Sequence, residues 1–324
     1  MKTWIDFDTA PVFAIPLSDP LDGTEHCEGM LIEGPQGWGE FSPPAGCDDR
    51  VAARWLTAAI EVGTVGWPDP LRGRVPIAVT VPAVEATRAG QIVVASGCAA
   101  ATVRVAAHPG SLPGDLARVA AVREALGPTG AVRCDATGNW SLDEATAAIP
   151  ALDRAGGGLE FVVQPCATLA DLRSLRARVD VPIAACQSIN DAPDPSHVEV
   201  SGAADVAVLS VAALGGVRRA LRVAEQCGLP CAVTSPVASS IGIAGGLALA
   251  GALPGTGFAA ELGLAALLAG DVVSAGRTLR PVDGHLPVAP MPAAPEPEQL
   301  RRFAAADPVV RRWRERLEAA RHHL

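Results

Sequence analysis

Lysine and tyrosine are almost missing from this chain of 324 residues. Lys2 is the single lysine, the rest of the 26 Lys and Arg residues are arginines, and tyrosine does not occur. Arginine stays protonated in proteins, so it can hold an anion but is a poor proton acceptor. A lysine or tyrosine base in the core is therefore excluded. Aromatic residues make up only 4%, which argues against a surface that stacks nucleic-acid bases.

Positive charge is scarce too, since the formal net charge is −9 at pH 7. Binding to phosphate backbones requires a basic face, so we expect no nucleic-acid partner. Residues 226–260 carry no charge at all, a length that could span a membrane. Pro230, Pro236 and Pro254 interrupt this stretch and favour buried strands and a helix instead. We therefore expect no membrane partner.

The chain also lacks paired cysteines and a targeting signal. Its eight cysteines contain no CxxC pair, and no cysteine or histidine set follows zinc-finger spacing. The opening residues, MKTWIDFDTA, include an acid and lack the apolar run of a signal peptide. These absences predict reduced cysteines and a cytoplasmic location.

What the chain does contain is a ladder of short apolar runs separated by stretches of helical length. The runs are ATVRVA at 101–106, AVRCD at 131–135, LEFVVQP at 159–165, PIAACQS at 182–188 and ADVAVLSV at 204–211. Alternating buried strands and helices predict parallel βαβ units. Repeated around a circle they give an α/β fold of the (β/α) barrel type, whose chemistry sits at the carboxyl ends of the strands.

Composition divides the chain into three predicted regions. Residues 1–72 form an α+β capping domain with a hairpin at 30–43, a helix near 48–62 and a polar loop at 18–28. Residues 73–289 form the barrel. Residues 290–324 form a Pro/Ala linker and a helical tail with Asp307 as a helix cap.

The last helix of the tail has an apolar stripe that needs a partner. Val309, Val310, Trp313 and Leu317 share one face, opposite several arginines. The stripe can dock on the chain's own barrel or on a neighbouring subunit, which would make a homo-oligomer, while the basic face suits an anionic partner.

At the barrel strands the sequence resembles the enolase superfamily, specifically the o-succinylbenzoate synthase group of its muconate-lactonising-like branch. The matching stretches are GWGEFSP (37–43), GWPDPL (66–71), VPIAVTVPAV (75–84), ALGPTGAVRCDATGNW (125–140), VVQPCATLADL (162–172), RVDVPIAACQSI (178–189), ADVAVLSVAALGGVRRALRVAEQCGLP (204–230) and DGHLPV (283–288). The resemblance implies an enolase-type modified barrel with an N-terminal cap. It also implies dehydration of a cyclohexadiene carboxylate by proton abstraction beside the carboxylate, with Mg²⁺ stabilising the enediolate.

Most functional positions implied by this resemblance hold other residues. The Lys-x-Lys pair falls on Thr102 and Arg104, and the opposing lysine falls on Ser210. The positions of the family's three metal-binding carboxylates hold Asp135, Val163 and Cys186 in this chain. The position of the acidic residue that follows the third of them holds Gln187. Mg²⁺ prefers several hard oxygen ligands, so we expect no metal and no cofactor.

Arg104 and Asp135 are expected to meet at the same end of the barrel. The structural interpretation is a salt bridge, because a buried arginine needs a partner. The catalytic interpretation has Asp135 as a general acid or base with a raised pKa, and Arg104 and Ser210 beside it. A less favoured alternative is Cys186 as a nucleophile whose pKa is lowered by Arg104.

Further ligand-binding residues are predicted around these three. They are Thr102, Thr137, Val163, Cys186, Gln187, Gly215, Gly216, Ser235, Ser239 and, from the 18–28 loop, His26. Gly215 and Gly216 match a family segment whose backbone faces the substrate, so they are expected to hold an anionic or carbonyl group.

Three functions follow as hypotheses, all with a small molecule as the partner. The first is a metal-independent cyclase or lyase on an apolar metabolite, such as a pericyclic ring closure in natural-product biosynthesis, because holding reacting ends together lowers a barrier. The second is a pseudoenzyme that binds a metabolite or a protein partner without turnover. The third, ranked last because the lysines and metal carboxylates are missing, is o-succinylbenzoate synthase. Of these, we favour an enzyme.

Overall fold

The structure is a computed structural model that describes residues 5–255 and 257–324. Residues 1–4, which include Lys2, and residue 256 lie outside the described residues.

The N-terminal cap is a three-stranded antiparallel sheet followed by a long helix. The strands β1 (Val12–Leu21), β2 (Thr24–Gly34) and β3 (Gly37–Phe41) lie in chain order, and α1 spans Asp49–Thr64. The predicted hairpin at 30–43 and helix near 48–62 are confirmed. The polar loop predicted at 18–28 is wrong. Its residues continue β1 and β2 around a two-residue turn at Asp22-Gly23, a dipeptide that favours tight hairpin turns.

Eight parallel strands form the closed barrel. They are β4 (Arg74–Val81), β5 (Ala100–Arg104), β6 (Ala131–Asp135), β7 (Phe161–Val163), β8 (Ile183–Ala185), β9 (Val206–Ser210), β10 (Cys231–Thr234) and β11 (Ala260–Glu261). Each pairs with the next in chain order, and β11 pairs with β4 to close the ring. A last strand, β12 (His285–Pro287), pairs antiparallel with the first residues of β4, 74–76. The predicted α/β barrel with an N-terminal cap is confirmed.

Helices connect the barrel strands and cover their outer faces. They are α2 (Ala86–Ser96), α3 (Leu112–Leu126), α4 (Leu142–Ala155), α5 (Leu169–Arg176), α6 (Gln187–Asn190), α7 (Val211–Leu214), α8 (Val217–Cys227) and α9 (Ser240–Ala252). A capping box formed by Ser141 and Glu144 begins α4. Gly228, in the left-handed region, ends α8.

The core of the barrel has two parts, as strand alternation requires. Outward-facing residues such as Val79, Val103 and Leu209 pack against the helices in one large apolar cluster. Inward-facing residues form a smaller cluster inside the ring. Its members are Phe161, Val163, Ala184, Cys186, Val206, Val208 and Ala232.

The C-terminal tail returns to the cap. It contains α10 (Pro297–Arg302) and α11 (Asp307–Arg321). Asp307 begins α11 rather than capping it, because the cap position is Ala306. Trp313 and Leu317 are buried against the cap, where the Trp313 ring meets Phe41 edge to face at 5.9 Å between centroids. The apolar stripe is therefore largely used within the chain, and an oligomer through this helix stays a prediction without support from the packing.

None of the helices within the described ranges has the length and apolar character needed to cross a lipid bilayer.

Candidate active site at the mouth of the barrel

Strand register brings the candidate residues together at the carboxyl ends of the barrel strands. Arg104, the last residue of β5, pairs with Asp135, the last residue of β6, and Thr102 lies one inward-facing layer deeper. On the other side of the ring, Thr234 pairs with both Ser210 and Glu261. Because successive side chains of a strand point to opposite faces, all of these side chains point into the barrel. They line its opening at the carboxyl ends of the strands, which we call the mouth.

Arg104 stands at the centre of this mouth with its side chain only 15% exposed. Its Nη1 donates to Asp135 and lies 3.6 Å from Oε1 of Glu261. Its Nε donates to Oδ2 of Asp22, 3.0 Å away on the cap. Burial alone would lower the pKa of Arg104, but the three surrounding carboxylates raise it above its ordinary value. Arg104 is therefore a fixed positive charge.

Asp135 is the better candidate for proton transfer. Its Oδ2 accepts from Arg104 and its Oδ1 from the backbone N–H of Thr137 at 2.8 Å. Burial raises the pKa of Asp135 to about 6, although the charge of Arg104 opposes the rise. The predicted salt bridge is present, and the carboxyl within it still titrates close to neutral pH.

Glu261 is a member of this cluster that the sequence interpretation missed. It is buried at the end of β11, where Thr80 donates to Oε1 at 3.0 Å and Thr234 donates to Oε2 at 3.2 Å. A signal was present in the sequence, because Glu261 is the first charge after the uncharged stretch 226–260. A buried charge at a strand end needs partners, and Arg104 is one of them.

Two hydroxyl groups in the same mouth have no hydrogen-bond partner among the described residues. Oγ1 of Thr102 and Oγ of Ser210 are fully buried, and no donor or acceptor within residues 5–255 and 257–324 reaches them. Oε1 of Gln187, at the start of α6, is in the same position. A buried polar atom without a partner is costly, so these three atoms are suited to binding a polar group of a ligand.

Val163 and Cys186 face the barrel interior as part of the apolar cluster. Burial raises the pKa of the Cys186 thiol, and the nearby carboxylates of Asp135 and Glu261 raise it further. Cys186 therefore remains a neutral thiol, and its role as a nucleophile activated by Arg104 is contradicted. Both residues form an apolar wall.

The donor set of this mouth does not fit a divalent cation. Among the described residues, no three His, Cys, Asp or Glu side chains are grouped closely enough to hold a metal. The positions beside Asp135 carry a valine and a thiol, and the other buried carboxylate, Glu261, shares the guanidinium of Arg104 with Asp135. Mg²⁺ is bound in proteins through carboxylates and other hard oxygen ligands, and the two buried carboxylates of this mouth are already paired with a cation.

Thr137 and Asn139 border the mouth. Thr137 lies in the left-handed region at φ 51°. Its hydroxyl accepts from Nδ2 of Asn139 at 3.0 Å. Thr137 thus helps to fix Asp135 through its backbone, and its side chain is already bonded.

Other predicted ligand residues lie in the seam between cap and barrel. Directly after Gly215 and Gly216, the first backbone N–H groups of α8 are already hydrogen-bonded. The N–H groups of Val217 and Arg218 donate to the Glu61 carboxylate of α1 at 2.6 and 3.2 Å. A Cβ on Gly216 would come within 2.5 Å of that carboxylate. This arrangement contradicts the predicted cradle for a ligand, since the cap itself supplies the anion.

Two serines predicted for the ligand also serve this seam. The Ser239 hydroxyl donates to the buried carboxyl of Glu40 on β3, and Ser239 is fully buried. The Ser235 hydroxyl donates to the carbonyl of Pro236 at 2.9 Å. Burial raises the pKa of Glu40 to about 7, although bonds from Ser239 and Ser42 oppose the rise. His26 is exposed on β2. The geometry does not connect these residues to Arg104.

Two amide side chains, which the sequence interpretation also missed, hold the strand ends in place. Oε1 of Gln164 accepts from the backbone N–H of Cys186 at 2.9 Å. Nδ2 of Asn190 donates to the carbonyls of Cys186 and Val208, and its Oδ1 accepts from the N–H of Ser210 at 2.9 Å. The ends of β7, β8 and β9 are thus fixed relative to each other by side chains.

Comparison with known proteins agrees with this architecture. Residues 85–295 match the family described as Enolase C-terminal domain-like, and residues 12–63 match Enolase N-terminal domain-like.

The chain belongs to the enolase superfamily.

Two relatives of high identity within the superfamily carry the same name. It is 49% identical over 313 residues to the o-succinylbenzoate synthase of Thermobifida fusca, covering 97% of this chain and 96% of the relative. It is 45% identical over 307 residues to the o-succinylbenzoate synthase of Mycolicibacterium smegmatis, covering 94% and 93%. The predicted ranking, which placed a cyclase or lyase on an apolar metabolite first and o-succinylbenzoate synthase last, is therefore wrong.

Solved structures support the superfamily fold. The muconate lactonizing enzyme of Pseudomonas fluorescens superposes with a TM-score of 0.76 at 21% identity, covering 93% of this chain and 98% of that chain. The L-Ala-D/L-Glu epimerase of Bacillus subtilis superposes with a TM-score of 0.74 at 22% identity, covering 91% and 98%. At this identity the likeness concerns the fold alone.

Proposed function

We propose that this chain forms o-succinylbenzoate in the mouth of its barrel, with Arg104 and Asp135 as catalytic residues and without a divalent metal. The observation that carries the proposal is the 49% identity, over 97% of the chain, to a protein named o-succinylbenzoate synthase. The geometry of the mouth suggests how different residues would perform the reaction.

The chemical groups of o-succinylbenzoate match those of the mouth. Its name specifies a benzoate and a succinyl chain, hence two carboxylates and one ketone. Arg104 supplies a permanent charge for a carboxylate. The hydroxyl groups of Thr102 and Ser210, which have no partner among the described residues, can donate to a ketone oxygen. Val163 and Cys186 offer the ring an apolar wall.

Proton transfer falls to Asp135 in this mechanism. Its carboxylate takes a proton from the ring carbon beside the ligand carboxylate, and the charge that develops there faces Arg104. The ring C–O bond then breaks, and Asp135 returns the proton to the departing oxygen, which leaves as water. The ring gains a double bond and Asp135 regains its starting state. A pKa of about 6 suits a group that must both take and give a proton near neutral pH.

The test is product formation by the purified protein. The cyclohexadiene carboxylate precursor is supplied in EDTA or in Mg²⁺, and o-succinylbenzoate is quantified by chromatography. We expect product in EDTA and a loss of about 100-fold or more in kcat/KM for Arg104→Met and Asp135→Asn. Arg176→Met, which removes a surface partner of Asp205, is the matched control and should retain activity.

Each contrary result removes a different part of the proposal. Product that forms only in Mg²⁺ would refute metal independence. No product under either condition would refute the activity, and binding without turnover would then describe the protein. Full activity in Arg104→Met would refute the assigned roles. The cytoplasmic location, the absence of nucleic-acid and membrane partners and a homo-oligomer through the C-terminal helix remain predictions from the sequence.

A further inference from the structure

One of the three carboxylates around Arg104 comes from outside the barrel. Asp22 lies at the turn between β1 and β2 in the cap, and its Oδ2 accepts from Nε of Arg104 at 3.0 Å. Its side chain is 49% exposed, whereas those of Asp135 and Glu261 are 5% and 7% exposed. Asp22 is thus the one carboxylate of the cluster that reaches solvent freely.

The backbone around Asp22 is held firmly over the mouth. Leu21, the preceding residue, is 4% exposed and belongs to the apolar core of the barrel. On β1, both oxygens of Asp19 accept from Nε of Arg88 at 3.1 and 3.2 Å, and Nη2 adds a bond of 2.6 Å. Since these contacts fix the turn, Asp22 can leave Arg104 by a rotation of its side chain alone.

Asp135 and Glu261 are held by additional bonds and cannot leave as easily. Asp135 also accepts from the N–H of Thr137, and Glu261 accepts from Thr80 and Thr234. Asp22 makes no other side-chain hydrogen bond within the described part of the chain. Its release into water costs little, because exposed ion pairs contribute little to stability.

Charge decides which exchange is possible. One guanidinium already faces the carboxylates of Asp22, Asp135 and Glu261. A ligand carboxylate added to these would be a fourth negative group around a single positive one, and like charges repel strongly at partly buried sites. If the ligand carboxylate instead replaces Asp22, the number of charges at Arg104 stays constant.

We propose that Asp22 occupies the binding site of a ligand carboxylate on Arg104. A ligand binds there through a carboxylate that takes the Nε edge of the guanidinium, and Asp22 rotates into solvent as it enters. Neutral ligands cannot compensate Arg104 for the loss of Asp22, so the exchange selects for carboxylates. This inference deepens the proposed function by naming the contact that recognises the carboxylate of o-succinylbenzoate.

The experiment compares Asp22→Asn with a matched control, Asp19→Asn, in the intact protein. Asn tolerates the left-handed backbone of Asp22, whose φ is 51°. Both variants remove one negative charge from the same hairpin, but only Asp22 contacts Arg104. Calorimetry gives Kd for two probes, o-succinylbenzoate and benzoate, with benzamide as the neutral counterpart. We expect Asp22→Asn to bind both carboxylates about two- to fivefold more tightly than wild type, in keeping with a half-exposed ion pair.

Asp19→Asn should bind the carboxylates no more tightly than wild type, because its partner is Arg88. Benzamide affinity should not rise in either variant.

The outcomes separate this inference from the proposed function. If o-succinylbenzoate binds wild type and Asp22→Asn equally, or binds the variant more weakly, the exchange at Arg104 is refuted while the function stands. If Asp19→Asn tightens binding as much, the effect is general charge and the inference is refuted. If benzoate gains affinity in Asp22→Asn but o-succinylbenzoate binds neither protein, the carboxylate site stands and the proposed function falls. If neither probe binds either protein, both fall.

Discussion

Two arginines lie one layer apart inside the same barrel and have different roles. Arg133, the deeper one, is 2% exposed and donates to Glu160 at 2.5 Å and to the carbonyl of Ala259 at 2.7 Å. Its guanidinium also lies over the ring of Phe161, 4.6 Å from the centroid. Arg104, at the mouth, faces three carboxylates and is partly open to solvent.

The difference lies in how the charges are balanced. At the floor, the inner layer that holds Arg133, one cation meets one carboxylate, a carbonyl and an aromatic face, a combination that fixes a buried charge, although Nη2 of Arg133 has no hydrogen-bond partner among the described residues. At the mouth three carboxylates surround one cation, and the hydroxyl groups of Thr102 and Ser210 also lack partners among the described residues. Polar atoms without partners thus occur in both layers, and it is the excess of carboxylates at the mouth that is poor for stability but suited to receiving a ligand. The floor is therefore structural and the mouth is the candidate site.

The largest effect on stability should come from removing Arg133 from the floor. Arg133→Met removes the partner of Glu160 and the contact with Phe161, so we expect the free energy of unfolding to fall by about 3 to 5 kcal/mol. Urea unfolding followed by circular dichroism measures the loss. Arg176→Met, which removes an exposed ion pair with Asp205, should cost less than about 1 kcal/mol. Equal losses in the two variants would show that Arg133 has no structural role.

The titration of Asp135 should make the mouth sensitive to pH. Its folded pKa of about 6 lies above the ordinary value, so the folded state holds a proton that the unfolded state releases between pH 4 and 6. Stability is then greatest below pH 4 and falls as pH rises through 6, by roughly 3 kcal/mol from this group. Urea unfolding of wild type and Asp135→Asn at pH 4.5 and 7 measures the fall.

The comparison with Asp135→Asn is needed because Glu40, with a pKa raised to about 7, adds a slope of the same sign. The variant should keep the slope of Glu40 and lose that of Asp135. Parallel curves for the two proteins would contradict the raised pKa of Asp135.

Removing the cation of the mouth should produce a loss that depends on pH. In Arg104→Met, the carboxylates of Asp22, Asp135 and Glu261 face one another without a positive charge, and Asp135, whose pKa burial already raises to about 6, relieves the repulsion by taking up a proton at pH 5 but not at pH 8. We expect the loss of unfolding free energy to be about 2 kcal/mol larger at pH 8 than at pH 5. Thermal unfolding at both pH values gives the difference. A loss independent of pH would mean that the three carboxylates do not act as a cluster.

The smallest effect on stability should come from Thr102, whose hydrogen-bonded counterpart on the neighbouring strand is Thr80. Thr80 and Thr102 pair across neighbouring strands, but only Thr80 donates to a carboxylate, that of Glu261. Thr80→Val should cost about 1.5 to 3 kcal/mol, the range for hydrogen bonds to charged groups. Thr102→Val should change stability by less than about 0.5 kcal/mol and instead weaken binding of o-succinylbenzoate. Equal losses in urea unfolding would show that Thr102 has a partner after all.

Patterns along the chain predicted the elements and their order well. Alternating apolar runs and helical stretches predicted the parallel barrel, and the capping box of Ser141 and Glu144 at the start of α4 is equally visible in the sequence. These features depend on neighbours within a few residues, so a single sequence displays them. The hairpin turn at Asp22-Gly23 is also local, but Asp19, Asp22 and Glu25 give this segment the polarity of a loop.

The candidate site was predicted only in part, because its members are distant in sequence. Adjacent strands made the contact of Arg104 with Asp135 predictable. Glu261 and Asp22 join them only because the ring closes and the cap folds over it. Gly215 and Gly216 were assigned to the ligand because nothing local shows that Glu61 occupies the end of α8.

By itself the sequence determined the barrel and, since Lys2 is its single lysine, the absence of a lysine from residues 3–324. It also determined which strand ends carry Arg104, Asp135 and Ser210. Only the tertiary structure decided that three carboxylates share Arg104 and that the hydroxyls of Thr102 and Ser210 lack partners among the described residues. The physical reason is that strand patterns follow local periodicity, whereas charge balance and hydrogen bonding in a barrel mouth depend on all the strands at once.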